Sequence, residues 1–262
     1  MRRNPPFIAG NWKMHATLAE ARALASAIIK AAPGLSPARL VVIPPFTALC
    51  EASKLAQGSP VGVGGQDLYW EDKGAFTGEI SGLMLKDAGC AYVVVGHSER
   101  RQFFGETDSG VNRKTRAALR HGLSPIVCVG ESLEEREAGK TIAKIKTQLD
   151  EGLREMTRED IRRIVLAYEP IWAIGTGRTA TPGQAEEVHA FIRKDLEEKY
   201  GNPAAAYAII LYGGSVKPAN AYDLFKEKNI DGFLVGGASL EAGSFVQIAK
   251  EALRAYEEEE EK

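Results

Sequence analysis

Eight short runs of apolar residues recur along the chain, and they predict eight buried β-strands. Most runs are continuous, whereas a strand with one solvent-exposed face alternates apolar and polar residues. Their β-branched content and their glycine or proline flanks favour strands over short pieces of helix. Such runs are typical of a parallel sheet covered by helices. The predicted strands are 7–9, 40–44, 61–64, 92–95, 125–129, 164–168, 208–212 and 232–235.

Amphipathic stretches lie between these runs and predict the helices. In one of them, Leu18, Ala21 and Ile28 recur at helical spacing. Another carries Pro182 at its first helical position, where the missing N–H costs nothing. The stretches are 17–31, 108–121, 141–156, 181–200, 217–228 and 242–257.

Strands that alternate with helices indicate an α/β protein, and no linker or change of composition divides the chain. We therefore predict a closed (β/α)8 barrel that forms a single domain over residues 1–262. Periodicity alone also allows an open, doubly wound sheet. The acidic run at 257–262 is expected to be a solvated tail that frays from the last helix.

Charge and cysteine content narrow the class of protein. The formal net charge is −2, so nothing favours nucleic acid or an anionic membrane as a partner. The 3 cysteines form no C-x-x-C pair, which argues against a disulfide framework and for a reducing compartment. The first ten residues lack the apolar stretch of a signal peptide, and no window is long enough to span a bilayer. We expect a cytoplasmic protein.

Polar, charged and glycine residues follow the predicted strands, and in a barrel these strand ends build the functional site. Their gathering at one end favours a working site over a merely structural barrel. They are Asn11 and Lys13, Gln66 and Asp67, His97 to Arg100, Gly130 and Glu131, Glu169, Gly213 to Ser215, and Gly236 and Gly237.

Glu169 and His97 are the candidate catalytic residues. Pro170 holds Glu169 extended at its strand tip, where partial burial raises the pKa of a carboxyl and makes it a useful base. A salt-bridged Glu169 and a structural His97 are the alternatives. No His-x-His or H-E-x-x-H spacing is present, so we predict no metal site.

Lys13 and three glycine turns suggest an anionic substrate. An ammonium at the barrel mouth attracts an anion and stabilises an oxyanion, although most lysines are simply exposed. Glycine lets backbone N–H groups approach a phosphate, although such glycines also suit tight turns. The turns are 175–177, 213–215 and 236–237. The first also fits G-x-G-x-x-A, but it lies too far past its strand for a dinucleotide site, so we interpret it as a mobile lid.

Six segments resemble the conserved segments of triosephosphate isomerases, in order and over the whole chain. That family has the TIM-barrel fold. The resemblance implies interconversion of dihydroxyacetone phosphate and glyceraldehyde 3-phosphate without cofactor or metal. The segments are AGNWKM at 9–14, GAFTGEI at 74–80, GHSERR at 96–101, AYEPIWAIGTG at 167–177, YGGSV at 212–216 and VGGASL at 235–240.

The resemblance also implies a role for each matched residue. The base falls on Glu169, the neutral imidazole electrophile on His97, and the enediolate-stabilising lysine on Lys13, with Asn11 beside it and Glu99 as a second carboxylate. A helix that begins after His97 would lower its pKa. The substrate and phosphate contacts fall on Asn11, Lys13, Gly175, Ser215, Gly236 and Gly237, and the lid on Pro170, Ile174, Gly175, Thr176 and Gly177.

Phe76 and Thr77 lie in a glycine-framed loop. Phe76 could pack on its own barrel or on a neighbouring subunit, and the resemblance implies a homodimer in which Thr77 reaches the neighbour's site. Tetramers also occur in the family. Asp67 stands where many members carry asparagine, close to the expected subunit contact. A Schiff-base aldolase that uses Lys13 and a barrel kept as a scaffold are the rival functions.

Overall fold

Eight parallel strands close into one barrel, in agreement with the predicted fold class. The computed structural model describes residues 4–175 and 178–260. Each strand pairs with the next along the chain, and the barrel closes where Phe7 of the first strand lies opposite Gly232 of the last. The strands are β1 (Phe7–Asn11), β2 (Arg39–Ile43), β3 (Val61–Gly65), β4 (Tyr92–Val95), β5 (Ser124–Val129), β6 (Val165–Tyr168), β7 (Ile209–Tyr212) and β8 (Gly232–Val235).

The apolar runs are continuous because both faces of every strand are buried. Alternate residues, such as Phe7 and Ala9, point into the barrel and pack in one cluster with Val41. Their neighbours, such as Ile8 and Val42, point outward and pack in a second cluster with the helices. A strand between two apolar layers has no position that favours a polar side chain.

Helices cover the outside of the barrel. Within the described residues they are α1 (Leu18–Ala31), α2 (Leu49–Ala56), α3 (Gly82–Asp87), α4 (Ser98–Phe104), α5 (Asp108–Arg120), α6 (Leu133–Glu137), α7 (Thr141–Gly152), α8 (Arg158–Ile161), α9 (Pro182–Tyr200), α10 (Asn202–Tyr207), α11 (Pro218–Phe225) and α12 (Ala242–Glu260). No helix of the described chain is long and apolar enough to cross a membrane.

Several helix ends differ from the sequence prediction. Helix α12 continues through Glu260, where a fraying tail was expected from 257, and the hydroxyl of Tyr222 on α11 donates to the carboxylate of Glu258. Helix α7 ends at Gly152, four residues early. Helix α9 begins at Pro182 after a Thr181 cap, as predicted.

Candidate active site

Most of the predicted catalytic and binding residues line one cavity of about 360 Å³, at the carboxyl ends of β1, β4, β6, β7 and β8. The predicted strand-end residues after β3 and β5 do not border it. Glu99, Phe76, Thr77 and Pro170 are not among the residues that line it. Thr176 and Gly177 lie outside the described residues. The predicted residues that line the cavity are Asn11, Lys13, His97, Glu169, Ile174, Gly175, Ser215, Gly236 and Gly237.

Glu169 and His97 are in direct contact. Oε1 of Glu169 lies 3.0 Å from Nε2 of His97, and Oε2 accepts a 2.9 Å hydrogen bond from the backbone N–H of Ser98. Both side chains are buried, although each borders the cavity. The carboxylate therefore rests on the first turn of α4 and faces the space that a ligand would occupy.

This contact reverses the pKa directions that the sequence predicted. Burial raises the pKa of Glu169, but the imidazole of His97, the Ser98 N–H and Lys13 together hold that pKa below its usual value. Burial lowers the pKa of His97, but the Glu169 carboxylate outweighs it and holds that pKa above its usual value. The predictions assumed separate groups, and both directions depend on Glu169 staying where it is.

His97 is the N-cap of helix α4, which begins at Ser98. Its Nδ1 accepts a 3.2 Å hydrogen bond from the backbone N–H of Glu99, so Nδ1 carries no proton and Nε2 is the donor. Protonation of Nδ1 would break this bond at the positive end of the helix. The cap therefore fixes the imidazole with its N–H directed at Glu169.

Lys13 is held by contacts on its side chain and on both sides of its backbone. Nζ lies 2.6 Å from Oε1 of Glu99, whose other oxygen is 3.6 Å from Nδ1 of His97. Lys13 has φ +52°, which is costly for a residue with a Cβ. Its N–H donates to Oδ1 of Asn11 at 3.0 Å, and its carbonyl accepts from Nε2 of Gln66 at 2.7 Å. The sequence placed Gln66 at a strand end but gave it no role.

The glycine turns form part of the wall of the cavity. Gly236 lies beside the Lys13 stem, since a Cβ there would be 3.3 Å from Cε of Lys13. Ile174 and Gly175 border the same space from the loop after β6. A cation and glycine backbone thus border the same cavity, which suits an anionic ligand.

A buried carboxylate that was assigned no role anchors the loop after β6. Oε1 of Glu131 accepts from the hydroxyl of Tyr168 at 3.0 Å and from Nε1 of Trp172 at 2.9 Å. Its backbone carbonyl accepts from the N–H of Ile171 at 3.1 Å. These bonds fix the first turn of the loop that carries Ile174, while the strand-end position of Glu131 was the only sequence signal.

Asp67 belongs to a cluster of four charged side chains, of which three are buried and the fourth, Arg100 of α4, is 31 % exposed. Its oxygens lie 2.6 Å from Nε of Arg100 and 2.7 Å from Nζ of Lys114. Glu106 also contacts Lys114 at 2.7 Å. Burial is the main cause that raises the pKa of Asp67, to about 6.

Phe76 and Thr77 lie on the exposed loop after β3. The ring of Phe76 contacts that of Tyr69, with centroids 4.5 Å apart, but 40 % of the residue stays exposed. Thr77 is exposed as well. Within residues 4–175 and 178–260, no group of three or more His, Cys, Asp or Glu side chains is arranged to hold a metal ion.

Comparison with known proteins gives one consistent result. The family model for triosephosphate isomerase matches residues 6–252. The triosephosphate isomerase of Moorella thermoacetica is 58% identical over 248 residues, which are 95% of this chain and 98% of that one. That of Endomicrobium trichonymphae is 54% identical over 94% and 98%. The crystal structure of the enzyme from Bartonella henselae superposes with a TM-score of 0.85, at 40% identity over 94% of this chain and 98% of that one.

Proposed function

The chain belongs to the triosephosphate isomerase family, and from this premise we propose which residues carry out the reaction. The enzyme interconverts dihydroxyacetone phosphate and D-glyceraldehyde 3-phosphate through an enediolate, a step of glycolysis and gluconeogenesis. A proton leaves one carbon and returns to its neighbour, so the site needs a base, an oxyanion stabiliser and a hold on the phosphate. The observation that carries the assignment is the contact between Glu169 and His97 at the cavity wall.

Glu169 is the proposed base. As a carboxylate it can take the proton from the carbon beside the carbonyl and return it to the other carbon. It now rests on Nε2 of His97 and the N–H of Ser98, at 3.0 and 2.9 Å. Substrate therefore has to draw Glu169 away from both donors, and the Nε2–H of His97 then becomes free to bind the substrate oxygen.

His97 and Lys13 are the proposed stabilisers of the enediolate. Once Glu169 moves off the imidazole, the main influence that raises the pKa of His97 is gone, whereas burial and the Glu99 N–H remain. The imidazole then acts as a neutral donor. Lys13 supplies a positive charge whose position Glu99 and Asn11 fix, so little reorganisation is needed as charge develops.

The glycine turns are the proposed phosphate cradle, and the loop after β6 is the proposed lid. Gly175, Ser215, Gly236 and Gly237 border the same cavity as the base, where their backbone N–H groups can reach an anion. The lid begins at Pro170, carries Ile174 over the cavity, and includes Thr176 and Gly177. It would exclude water from the enediolate. The proposed reaction uses neither cofactor nor metal.

Replacement of Glu169 by Asp tests the base. The change withdraws the carboxylate by one methylene, so we expect kcat to fall by roughly two orders of magnitude while KM stays nearly constant. A coupled isomerase assay measures both. The same shortening at Glu198, on the outside of α9, is the control, and an unaltered kcat in Glu169→Asp would refute the base assignment.

We further propose that the enzyme is a homodimer. Large exposed apolar side chains follow the carboxyl ends of four neighbouring strands, β1 to β4, on one side of the barrel mouth. Apolar side chains gathered in this way mark interaction surfaces. They are Met14 at 94 %, Phe46 at 39 %, Phe76 at 40 %, Phe103 at 67 % and Phe104 at 69 % exposure. Thr77 stands beside Phe76 on this surface. Because Met14 follows Lys13 directly, a partner on this surface would contact the segment that carries Lys13.

Sedimentation velocity tests the dimer. We expect a dimer at micromolar concentration, and dissociation at concentrations at least roughly tenfold higher in Phe76→Asp, because the charge would have to be buried at the contact. Tyr207→Asp changes an equally large residue, 63 % exposed on α10, and should leave assembly unchanged. A fully active monomer would contradict the proposal.

We also propose a single-domain, cytoplasmic enzyme. The single closed barrel and its connected outer core support the first point. For a single domain we expect one cooperative unfolding transition, and two separate transitions would refute the single domain.

A further inference from the structure

Lys217 lines the cavity, and the proposed reaction gives it no role. It follows Ser215 of the proposed phosphate cradle by two residues and borders the same space as Lys13 and Glu169. Most lysines are exposed and simply solvated, and Lys217 is exposed as well. Its position at the cavity wall, its lack of an ionic partner and its place at a helix end together distinguish it from a lysine that is only solvated.

Without Lys217 the cavity is short of positive charge. The carboxylate of Glu99, 2.6 Å from Nζ of Lys13, offsets the charge of the other lysine at the wall. Glu169 adds a carboxylate to the wall. With the imidazoles neutral, these groups together carry a net negative charge, whereas a phosphate monoester brings a charge of about −1.5 to −2. A further cation at the wall would therefore favour the entry of the substrate.

The charge of Lys217 is not offset in this way. Within the described ranges, 4–175 and 178–260, its ammonium makes no ion pair, whereas that of Lys13 does. An incoming anion therefore does not have to compete with a carboxylate for Lys217. The ammonium is the uncompensated cation of the cavity wall.

Asn220 fixes the point from which the side chain of Lys217 starts. Its Oδ1 accepts from the backbone N–H of Lys217 at 2.8 Å, and its Nδ2 donates to the carbonyl of Ser215 at 3.0 Å. One side chain thus holds both Ser215 and Lys217 at the cavity wall. Because both bonds use backbone atoms of the held residues, a different side chain at position 217 leaves them intact.

The position of Lys217 is unfavourable for helix α11. Lys217 is the N-cap residue, with Pro218 at the first helical position. N-cap positions favour Ser, Thr, Asp and Asn, and a positive side chain at the positive end of the helix dipole is destabilising. The N-cap residues of α1, α5 and α9 are Thr17, Thr107 and Thr181. A residue that breaks such a local rule is expected where function benefits from it.

We propose that Lys217 is a second phosphate-binding cation of this enzyme, in addition to Lys13. Its ammonium offsets the charge of the substrate's phosphate at the cavity wall. The inference rests on the proposed function and assigns Lys217 to binding, not to proton transfer. Substrate, enediolate and product all carry the same phosphate, so the contact stabilises each of them alike and lowers KM rather than raising kcat.

The experiment measures kcat and KM at low and high ionic strength in wild type, Lys217→Gln and Lys217→Arg. We expect Lys217→Gln to raise KM roughly fivefold at about 0.02 M and less than about twofold at about 0.3 M, because salt screens an exposed charge. Its kcat should stay within about twofold of wild type. Lys217→Arg keeps the charge and should keep the KM of wild type at both ionic strengths.

Lys228→Gln is the matched control. Lys228 is also exposed, but it lies past the other end of α11 and before β8, at the amino end of the barrel. The same loss of charge there should leave KM unchanged at both ionic strengths. An unaltered KM in Lys217→Gln at low ionic strength, a rise that salt does not diminish, or the same rise in Lys217→Arg would overturn the proposal.

D-Glyceraldehyde, which lacks the phosphate, separates a phosphate contact from a general disturbance of the site. Its isomerisation, followed by proton NMR, should proceed with the same kcat/KM in wild type and in Lys217→Gln. An equal fold-loss with this substrate would show that Lys217 shapes the site and does not bind the phosphate, which would reject the inference.

Glu169→Asp is measured alongside, so that a failure of this inference can be told from a failure of the proposed function. If Glu169→Asp keeps full activity, the proposed catalytic roles fail. A silent Lys217→Gln beside a large loss in Glu169→Asp rejects only this inference. If Lys217→Gln does not fold, Lys217→Ser decides, because serine is a favoured N-cap residue and removes the same charge. It should show the same salt-dependent rise in KM with no fall in Tm.

Discussion

At the scale of single residues, two glycines determine where the carboxylate of Glu169, the proposed base, can lie. A Cβ on Gly130 would come within 1.9 Å of the backbone oxygen of Glu169, and a Cβ on Gly213 within 2.9 Å of its Cγ. These glycines end the strands on either side of β6. Because each contact involves Glu169 itself, neither position can take a side chain without moving the base.

Gly213→Ala should therefore impair catalysis more than folding. We expect kcat to fall at least roughly tenfold, because a displacement of about an ångström in the base is costly. Steady-state kinetics with a far-UV circular dichroism spectrum measures both properties. Gly183→Ala, where a Cβ meets nothing within 4 Å, is the matched control. Equal kcat in both variants would show that Glu169 tolerates the shift.

The sequence predicts which residues lie at the cavity better than it predicts the contacts that those residues make. Glu169, His97 and Lys13 were predicted from their strand-end positions and the family resemblance, and all three border the cavity. The contacts of Gln66 and Glu131 could not be predicted, because they depend on the path of loops that no periodicity describes. The pKa directions of Glu169 and His97 were wrong because the sequence gives no distance between them.

At the scale of elements, the loop after β6 combines a fixed start with a part that borders the cavity. Its first turn, Ile171–Ala173, is a short 3₁₀ helix tied to Glu131. Ile174 and Gly175 follow at once and line the cavity. The proposed lid can move only after this anchored turn. The turn therefore determines the position in which the lid closes.

Trp172→Phe tests the anchor. The change removes the indole N–H that Glu131 accepts while it keeps an aromatic ring, so the lid should close less reliably over substrate. We expect kcat/KM to fall by roughly five- to tenfold, with Tm changed by only a few degrees. Trp70→Phe, on the loop after β3, provides the control, and equal kinetics in the two variants would count against an anchoring role.

The strands were predicted better than the helices, for a physical reason. Every strand was located to within two residues at each end, because burial on both faces gives an uninterrupted apolar run. Helices such as α3 and α8 are only six and four residues long, too short to show helical periodicity. Helix α12 extends past its predicted end because acidic residues at its exposed end can still be held by partners such as Tyr222.

At the scale of the whole molecule, a buried histidine links stability to pH. His189 on α9 is fully buried beside the rings of Tyr168 and Tyr212, and its Nδ1 lies 3.1 Å from the carbonyl of Asn229. Burial lowers the pKa of His189 to about 3. The folded protein therefore binds this proton far less readily than the unfolded chain does.

The sign of the effect follows directly. Above pH 6.5 both states keep His189 neutral, and its contribution is constant. Between pH 6.5 and about 3, only the unfolded chain protonates at His189. Each unit by which the pH is lowered therefore reduces the free energy of unfolding by about 1.4 kcal/mol. His189→Asn should reduce this slope in urea unfolding curves at pH 7, 6 and 5. Parallel slopes in wild type and variant would disprove the link.

The pairing of β1 with β8 has a consequence for how the chain is made. Phe7 leaves the ribosome first, and its partner Gly232 follows on the order of ten to fifty seconds later. During that interval β1 has an unpaired edge of the kind that recruits other chains. Translation speed and chaperone supply, rather than the stability of the finished barrel, would then limit the yield of active enzyme in an overproducing cell.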